Sequence, residues 1–211
     1  MSGNISSCNL SETSNEENES SDLNPEQENC QRVLTSLRKD NPDRLIFAQL
    51  NINSIRNKFD YLSDLVKGKV DVLLISETKI DDSYPKSQFL MKGFSDPYRL
   101  DRNCLGGGLM LFVREDIPSN LLTTEDKPTE GFYVELNLRN SKWLINCSYN
   151  PHKNNIGTHL DKIGQSLDVF SSKYERFLLR GDFNVGVEET YMKSFCESYR
   201  SKSSVRPVLK I

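Results

Sequence analysis

Asn51, Glu77, Tyr149, Asp182 and Asn184 each stand where a short apolar run gives way to polar residues. Those runs are of strand length, and the carboxyl ends of strands in a layered α/β domain converge on one edge, where sites are built. Two carboxylates, two carboxamides and a phenol gathered there would form a set of hard oxygen donors. Such a set suits Mg²⁺, which takes one or two carboxylates and keeps several waters for a phosphate substrate. Glu77 is the first candidate ligand. Each residue also has a plainer reading. Asn and Asp satisfy turns at strand ends, Glu77 can be a solvated loop acid, and a tyrosine such as Tyr149 commonly packs its ring in a core with its hydroxyl reaching water. Gly106-Gly107-Gly108 lacks the strand-GxxxxGK[ST]-helix context of a P-loop. Position alone leaves these alternatives open.

The elements that must carry these residues follow from periodicity. Leu45-Ile46-Phe47-Ala48-Gln49-Leu50 predicts a strand ending at Asn51-Ile52-Asn53-Ser54. Phe59, Leu62, Leu65 and Val66 place one apolar stripe on a helix that Gly68 can close. Val70 to Ile75 predicts a buried strand ending at Ser76-Glu77-Thr78, so strand, helix and strand form one unit of an α/β domain. A loop through Pro85, Gly93 and Pro97 leads to a further buried strand, Leu109-Met110-Leu111-Phe112-Val113. Alternation of Phe132, Val134, Leu136 and Leu138, then of Trp143, Ile145, Cys147 and Tyr149, predicts a hairpin around Arg139-Asn140-Ser141. Leu160, Ile163, Leu167 and Phe170 predict a helix, Phe177-Leu178-Leu179 a strand running into Gly181-Asp182-Phe183-Asn184, and Met192, Phe195, Cys196 and Tyr199 a last helix.

At 211 residues and 36% hydrophobic composition the chain has room for one domain with a real core and little more. Residues 1 to 42 are expected to be a disordered acidic tail, apart from a helical turn around Val33, Leu34 and Leu37. The domain is expected over 43–199, with a divergent tail at 200–211. The formal charge of −3 conceals an asymmetry, because the first 42 residues contribute −5 and the remainder +2. A slight basic excess is compatible with phosphate contacts but does not by itself define a nucleic-acid binder. The five cysteines, at 8, 30, 104, 147 and 196, form no CxxC pair and no zinc spacing with the two histidines. They read as reduced thiols, with no disulfide-linked partner. With no signal-like segment and no apolar run near ~20 residues, the expected setting is nucleus or cytoplasm, away from membranes.

In order along the chain, Leu50-Asn51-Ile52-Asn53-Ser54-Ile55-Arg56, Ile75-Ser76-Glu77-Thr78, Arg102-Asn103 with Gly106-Gly107-Gly108, Ser148-Tyr149-Asn150-Pro151 and Gly181-Asp182-Phe183-Asn184 resemble the endonuclease/exonuclease/phosphatase superfamily. Within it they look most like the apurinic-endonuclease-like domains of non-LTR (LINE-type) retrotransposons. The resemblance implies an α/β fold: a two-sheet sandwich of the DNase I-like type, flanked by helices and incomplete at its C-terminus. It implies a monomeric Mg²⁺-dependent endonuclease, with Mn²⁺ as an alternative ion, acting on DNA. By the same resemblance Glu77 binds the metal and Asn51 supports it. Asp182 and Asn184 orient the nucleophilic water and contact the scissile phosphate, Tyr149 binds phosphate, and Arg102 and Asn53 face DNA, although some relatives carry Asp where Asn53 stands.

One departure from the resemblance bears on activity. The family's closing strand pair and Ser-Asp-His motif find no counterpart, and His152 and His159, in a loop and at a helix start, are expected at the surface. Loss of a phosphate-stabilising group costs tenfold in rate for each 1.36 kcal/mol. An inactive remnant is therefore one alternative, and a phosphatase of the same superfamily another.

Overall fold

In a computed structural model, residues 25–122, 130–138, 141–151, 155–174, 176–184 and 190–200 are described. The elements run α1 (Pro25–Asp40), β1 (Phe47–Asn51), α2 (Phe59–Val66), β2 (Val72–Ser76), a short 3₁₀ helix (Lys86–Phe89), β3 (Tyr98–Leu100), β4 (Leu109–Val113), β5 (Ser119–Leu122), β6 (Glu130–Leu138), β7 (Ser141–Tyr149), α3 (Ile156–Phe170), β8 (Arg176–Asp182) and α4 (Thr190–Arg200). Two parallel pairs anchor the topology, because a helix crosses over between β1 and β2 and another between β7 and β8. The remaining pairings are antiparallel. One sheet has the order β1-β2-β4-β3 and the other β5-β6-β7-β8.

The two sheets pack face to face. Val72, Leu74, Leu109, Leu111 and Val113 from the first meet Val134, Leu136, Ile145, Cys147, Tyr149 and Leu178 from the second. The opposite face of the first sheet is covered by α2 and α1 through Phe59, Leu62, Val66 and Leu34. The opposite face of the second is covered by α3 and α4 through Ile156, Leu160, Ile163, Leu167 and Met192. The result is the expected α/β two-sheet sandwich flanked by helices. Its four layers explain why β2 and β4 read as unbroken apolar runs: both faces of each are buried at every residue. The hairpin forms in the register set by alternation, with Phe132 opposite Cys147, Val134 opposite Ile145 and Leu136 opposite Trp143.

Three elements differ from expectation. β3 and β5 are short strands at sheet edges with no clear alternation, so no period marks them. Residues 25–40, expected within a disordered tail, form a four-turn helix. Pro25 opens it, Glu26 and Glu28 lie in its first turn and Arg38 and Lys39 in its last, a distribution that complements the helix dipole. Its apolar face is only Cys30, Leu34 and the partly buried Leu37. What that face lacks is supplied by Arg38, whose guanidinium donates to Lys69 O at 3.1 Å, Arg44 O at 3.1 Å and Asp71 Oδ2 at 2.6 Å. Asp71 is 1% exposed and also accepts the Ile46 N–H at 2.6 Å and a hydrogen bond from Arg114. Residues 1–24 of the expected tail and 201–211 lie outside the described residues.

Cys104, Cys147 and Cys196 are free. Cys30 is disulfide-bonded, which corrects the expectation of reduced thiols for that residue, since spacing along the sequence does not show which thiols pair. No helix among the described residues is long and apolar enough to cross a membrane.

Asp71 joins three segments through one buried carboxylate, so Asp71→Ala takes one acceptor from each of two guanidinium groups and the side-chain acceptor of the Ile46 N–H. Both arginines retain some exposure, and the expected loss of unfolding free energy in urea is about 2–3 kcal/mol. Arg38→Ala is expected to lose less and to release α1, read as a drop in helical circular dichroism before the main unfolding transition.

Candidate active site

Because both crossover units place their parallel strands alike, the carboxyl ends of β1, β2, β7 and β8 meet at one end of the sandwich. Contacts across the two sheets fix that meeting. Gln49, in the middle of β1 and 9% exposed, donates its amide to Gly181 O at 2.6 Å and accepts the Gly181 N–H at 3.3 Å. This is the bonding pattern of one strand residue made by a side chain. Gly181 has to be glycine: a Cβ there would lie 2.0 Å from Ser148 O. Two residues further along, Asn51 Nδ2 donates to Asp182 Oδ2 at 2.8 Å, while its Oδ1 accepts the Asn53 N–H at 3.1 Å.

Glu77 stands just past β2, and its two carboxylate oxygens are used differently. Oε2 accepts the Gly107 N–H at 3.0 Å, and Oε1 accepts the hydroxyl of Tyr149 from the other sheet. The adjacent Gly108 N–H donates to Glu130 Oε1 at 2.8 Å, and Glu130 Oε2 pairs with Arg102 Nη1 at 3.1 Å. Gly108 has φ +88° and a Cβ there would meet Thr78 Oγ1 at 2.3 Å, so the glycine run lets backbone donors reach two acids side by side. Burial, the bond to Glu77 and the charges of Glu77, Asp182 and Glu130 together push the Tyr149 hydroxyl well above its ordinary range. Tyr149 is therefore a neutral donor surrounded by three acids. Its ring lies in the inter-sheet core and its hydroxyl in the site, so the core and site readings are both true of it.

Among the described residues the non-glycines with positive φ are Asn53, Ser54, Glu77, Lys79 and Asn184. All lie at this end of the sandwich. Left-handed backbone at an ordinary residue costs energy and persists only where its surroundings over-determine it, typically at functional loops. The turn after β8 shows how it is held. Asn150 donates its N–H to Asp182 O at 2.8 Å and its Nδ2 to Phe183 O at 3.3 Å, and accepts Asn184 Nδ2 at 2.8 Å on its carbonyl. Asn184 donates its own N–H to Asp182 Oδ1 at 3.1 Å. Lys79 Nζ donates to Asn53 Oδ1, closing the loops after β1 and β2 on each other.

Thus Asn51, Glu77, Tyr149, Asp182 and Asn184 lie together, with Asn53 at one side and Arg102 held to Glu130 at another. Sequence reasoning gave no role to Gln49 and Glu130, nor to Asn150, although Asn150 stands in one of the family-like motifs. Gln49 had a signal, a polar residue inside an apolar run; Glu130, at the start of β6, had none. The histidines divide. His152 lies outside the described residues. His159, expected at the surface, is 7% exposed, with its Nε2 buried and without a hydrogen-bond partner. Its ring meets Phe183 edge-on at 5.8 Å. The correction has a plain cause: α3 turns residue 159 inward beside Leu160 and Ile163, a placement that a helix-start position does not show.

A helix-flanked α/β sandwich with acids, amides and a phenol at the carboxyl edge of its strands is the class of protein that the fold and site define. The sequence profile of the Endonuclease/Exonuclease/phosphatase family matches residues 48–204, and the chain belongs to that family. No curated protein sequence matches the chain. Among solved structures, the human Nocturnin catalytic domain with bound sulfate anion is similar at 13% identity, covering 73% of this chain and 69% of that one with a TM-score of 0.57. The 3′ phosphatase NExo from Neisseria, bound to product DNA hairpin, covers 75% and 71% at 13% identity and a TM-score of 0.55. The endonuclease domain of TRAS1, a telomere-specific non-LTR retrotransposon, covers 75% and 71% at 13% identity and a TM-score of 0.54. At such identities these likenesses show the fold.

Burial, with a smaller contribution from Lys162, pulls the His159 imidazole down to about 4 from its ordinary 6.5. Between those values the unfolded chain binds a proton that the folded chain refuses, so this stability is complete above pH 6.5 and lost as pH falls toward 4. The melting temperature of the wild type is expected to fall more over that interval than that of His159→Phe; parallel pH profiles would remove the attribution.

Proposed function

We propose that the chain is a divalent-metal-dependent phosphodiesterase that nicks DNA and derives from a non-LTR retrotransposon. The observation that carries this reading is Glu77: a carboxylate at a strained position, gripped by Gly107 and Tyr149, beside the Asn51–Asp182 pair. Family membership supports attack on a phosphate ester as the reaction class. The TRAS1 endonuclease domain and the DNA-bound Neisseria enzyme support DNA as the partner.

The donor set fits a hard cation that keeps most of its water. Glu77 and Asn51 offer oxygens at the open edge of the strands, and Mg²⁺, or Mn²⁺ in its place, typically needs one or two such groups from the protein. When bound, the ion would stabilise charge on the phosphate. The chain's own residues supply the rest. Asp182, oriented by Asn51 and by the Asn184 N–H, can accept a proton from the attacking water. The Asn184 carboxamide keeps a second N–H beside the one given to Asn150, and the Tyr149 hydroxyl, which stays protonated across the physiological range, would turn from Glu77 to a phosphate oxygen. Arg102 and Asn53 border the site where the DNA backbone would pass. We infer a monomer that acts in nucleus or cytoplasm.

A second reading is a non-catalytic remnant, a chain of the same fold that turns over no phosphate ester. Nicking of supercoiled plasmid separates the two. The expected result is nicking with Mg²⁺, none with EDTA, and rates about 10³-fold lower in both Glu77→Ala and Asp182→Ala, roughly 4 kcal/mol of lost stabilisation. A folded wild type that leaves plasmid intact would establish the remnant, and faster release of phosphate from monoesters than cleavage of plasmid would move the activity to a phosphatase.

A further inference from the structure

We propose that His159 is a positioning residue, its ring bracing Phe183 so that Asp182 and Asn184 are held in the geometry of the site. This rests on the function proposed above. The imidazole is buried, its Nε2 has no hydrogen-bond partner, and its edge-on contact with Phe183 is the one ring contact it makes among the described residues. A buried polar atom without a partner is a standing cost in a folded protein. The group therefore contributes through its shape rather than as an acid or base.

What that shape touches is the middle of the turn between Asp182 and Asn184. On its polar side the turn is fastened by the three hydrogen bonds to Asn150. On its apolar side Phe183 packs into the layer between the second sheet and α3, where His159 meets it. The two fastenings act on a residue that needs them, since Asn184 sits at φ +53°. A strained turn held from one side only relaxes, and a displacement of about 1 Å at a reacting group can cost 10²-fold in rate. Glu77 and Arg102 belong to other strands and loops, so substrate binding through them is independent of this brace.

The test compares wild type, His159→Ala and His159→Phe in amide hydrogen exchange and in plasmid nicking. In His159→Ala the amides of Asn150 and Asn184, which bond Asp182, are expected to lose at least tenfold of their protection while amides in the β6–β7 hairpin keep theirs. The nicking kcat is expected to fall about tenfold or more with KM within twofold, and His159→Phe, which restores a ring, is expected to recover both. Should His159→Ala not fold, His159→Leu takes its place with the same expectations. Unchanged protection at Asn150 and Asn184, or equal loss throughout the hairpin, overturns the proposal. Selective loss of protection in a chain whose wild type does not nick DNA would keep the brace and discard the function on which its purpose depends.

Discussion

The closeness of two sheets at one end of the sandwich is the constraint on which the site depends. Sheets in such a fold need only bury their inner faces, and apolar side chains do that with little demand on register. At the carboxyl edge the demand is stricter, because Gln49 must complete a strand-like pair of bonds with Gly181 while both are out of water. A buried amide left unpaired costs about 1–3 kcal/mol, so the sheets cannot slide by a residue without paying that at both ends of the pair. With that register fixed, Asn51 falls opposite Asp182 and Tyr149 opposite Glu77. The packing of the core and the composition of the site are thus set by the same few contacts.

Electrostatics at this edge are arranged to hold acids near one another. Glu77, Asp182 and Glu130 all act on the phenol of Tyr149, yet each acid has donors of its own: backbone N–H groups for Glu77 and Glu130, carboxamide and backbone for Asp182. Among the described residues, Glu130 is the one acid of the three with an ion-pair partner, Arg102. The site is organised by neutral donors aimed at carboxylates, which leaves net negative charge directed at one spot. This is a field suited to a cation and ill suited to a phosphate arriving alone.

How much of this was legible in the sequence depends on the kind of signal each part leaves. The runs Val70–Ile75 and Leu109–Val113 are apolar on both faces because layers cover both, and so they were readable. The hairpin of β6 and β7 announces itself by alternation. β3 and β5 leave no period because they are three and four residues long at the edges. α1 was hidden because its stability comes from an arginine finding an aspartate thirty-three positions away, which no local pattern encodes. In the site, the motif residues were readable as strand ends. Gln49 was visible as an oddity without a meaning, and Glu130 and Asn150 owe their places to contacts between segments distant in sequence. His159 was misplaced because a helix has an inward side and the sequence near its start did not say which.

The tie between Arg38 and Asp71 bears on how much of the chain must be kept for the sandwich to hold its buried charge. The region matched by the family profile starts at Ala48, already inside β1, whereas Asp71, which lies well within it, takes one of its two cations from a helix that ends before the match begins. Family likeness and folding therefore draw different borders on this chain. A fragment cut at the first matched residue would carry a buried carboxylate stripped of one of its two cations and of the Ile46 N–H it accepts.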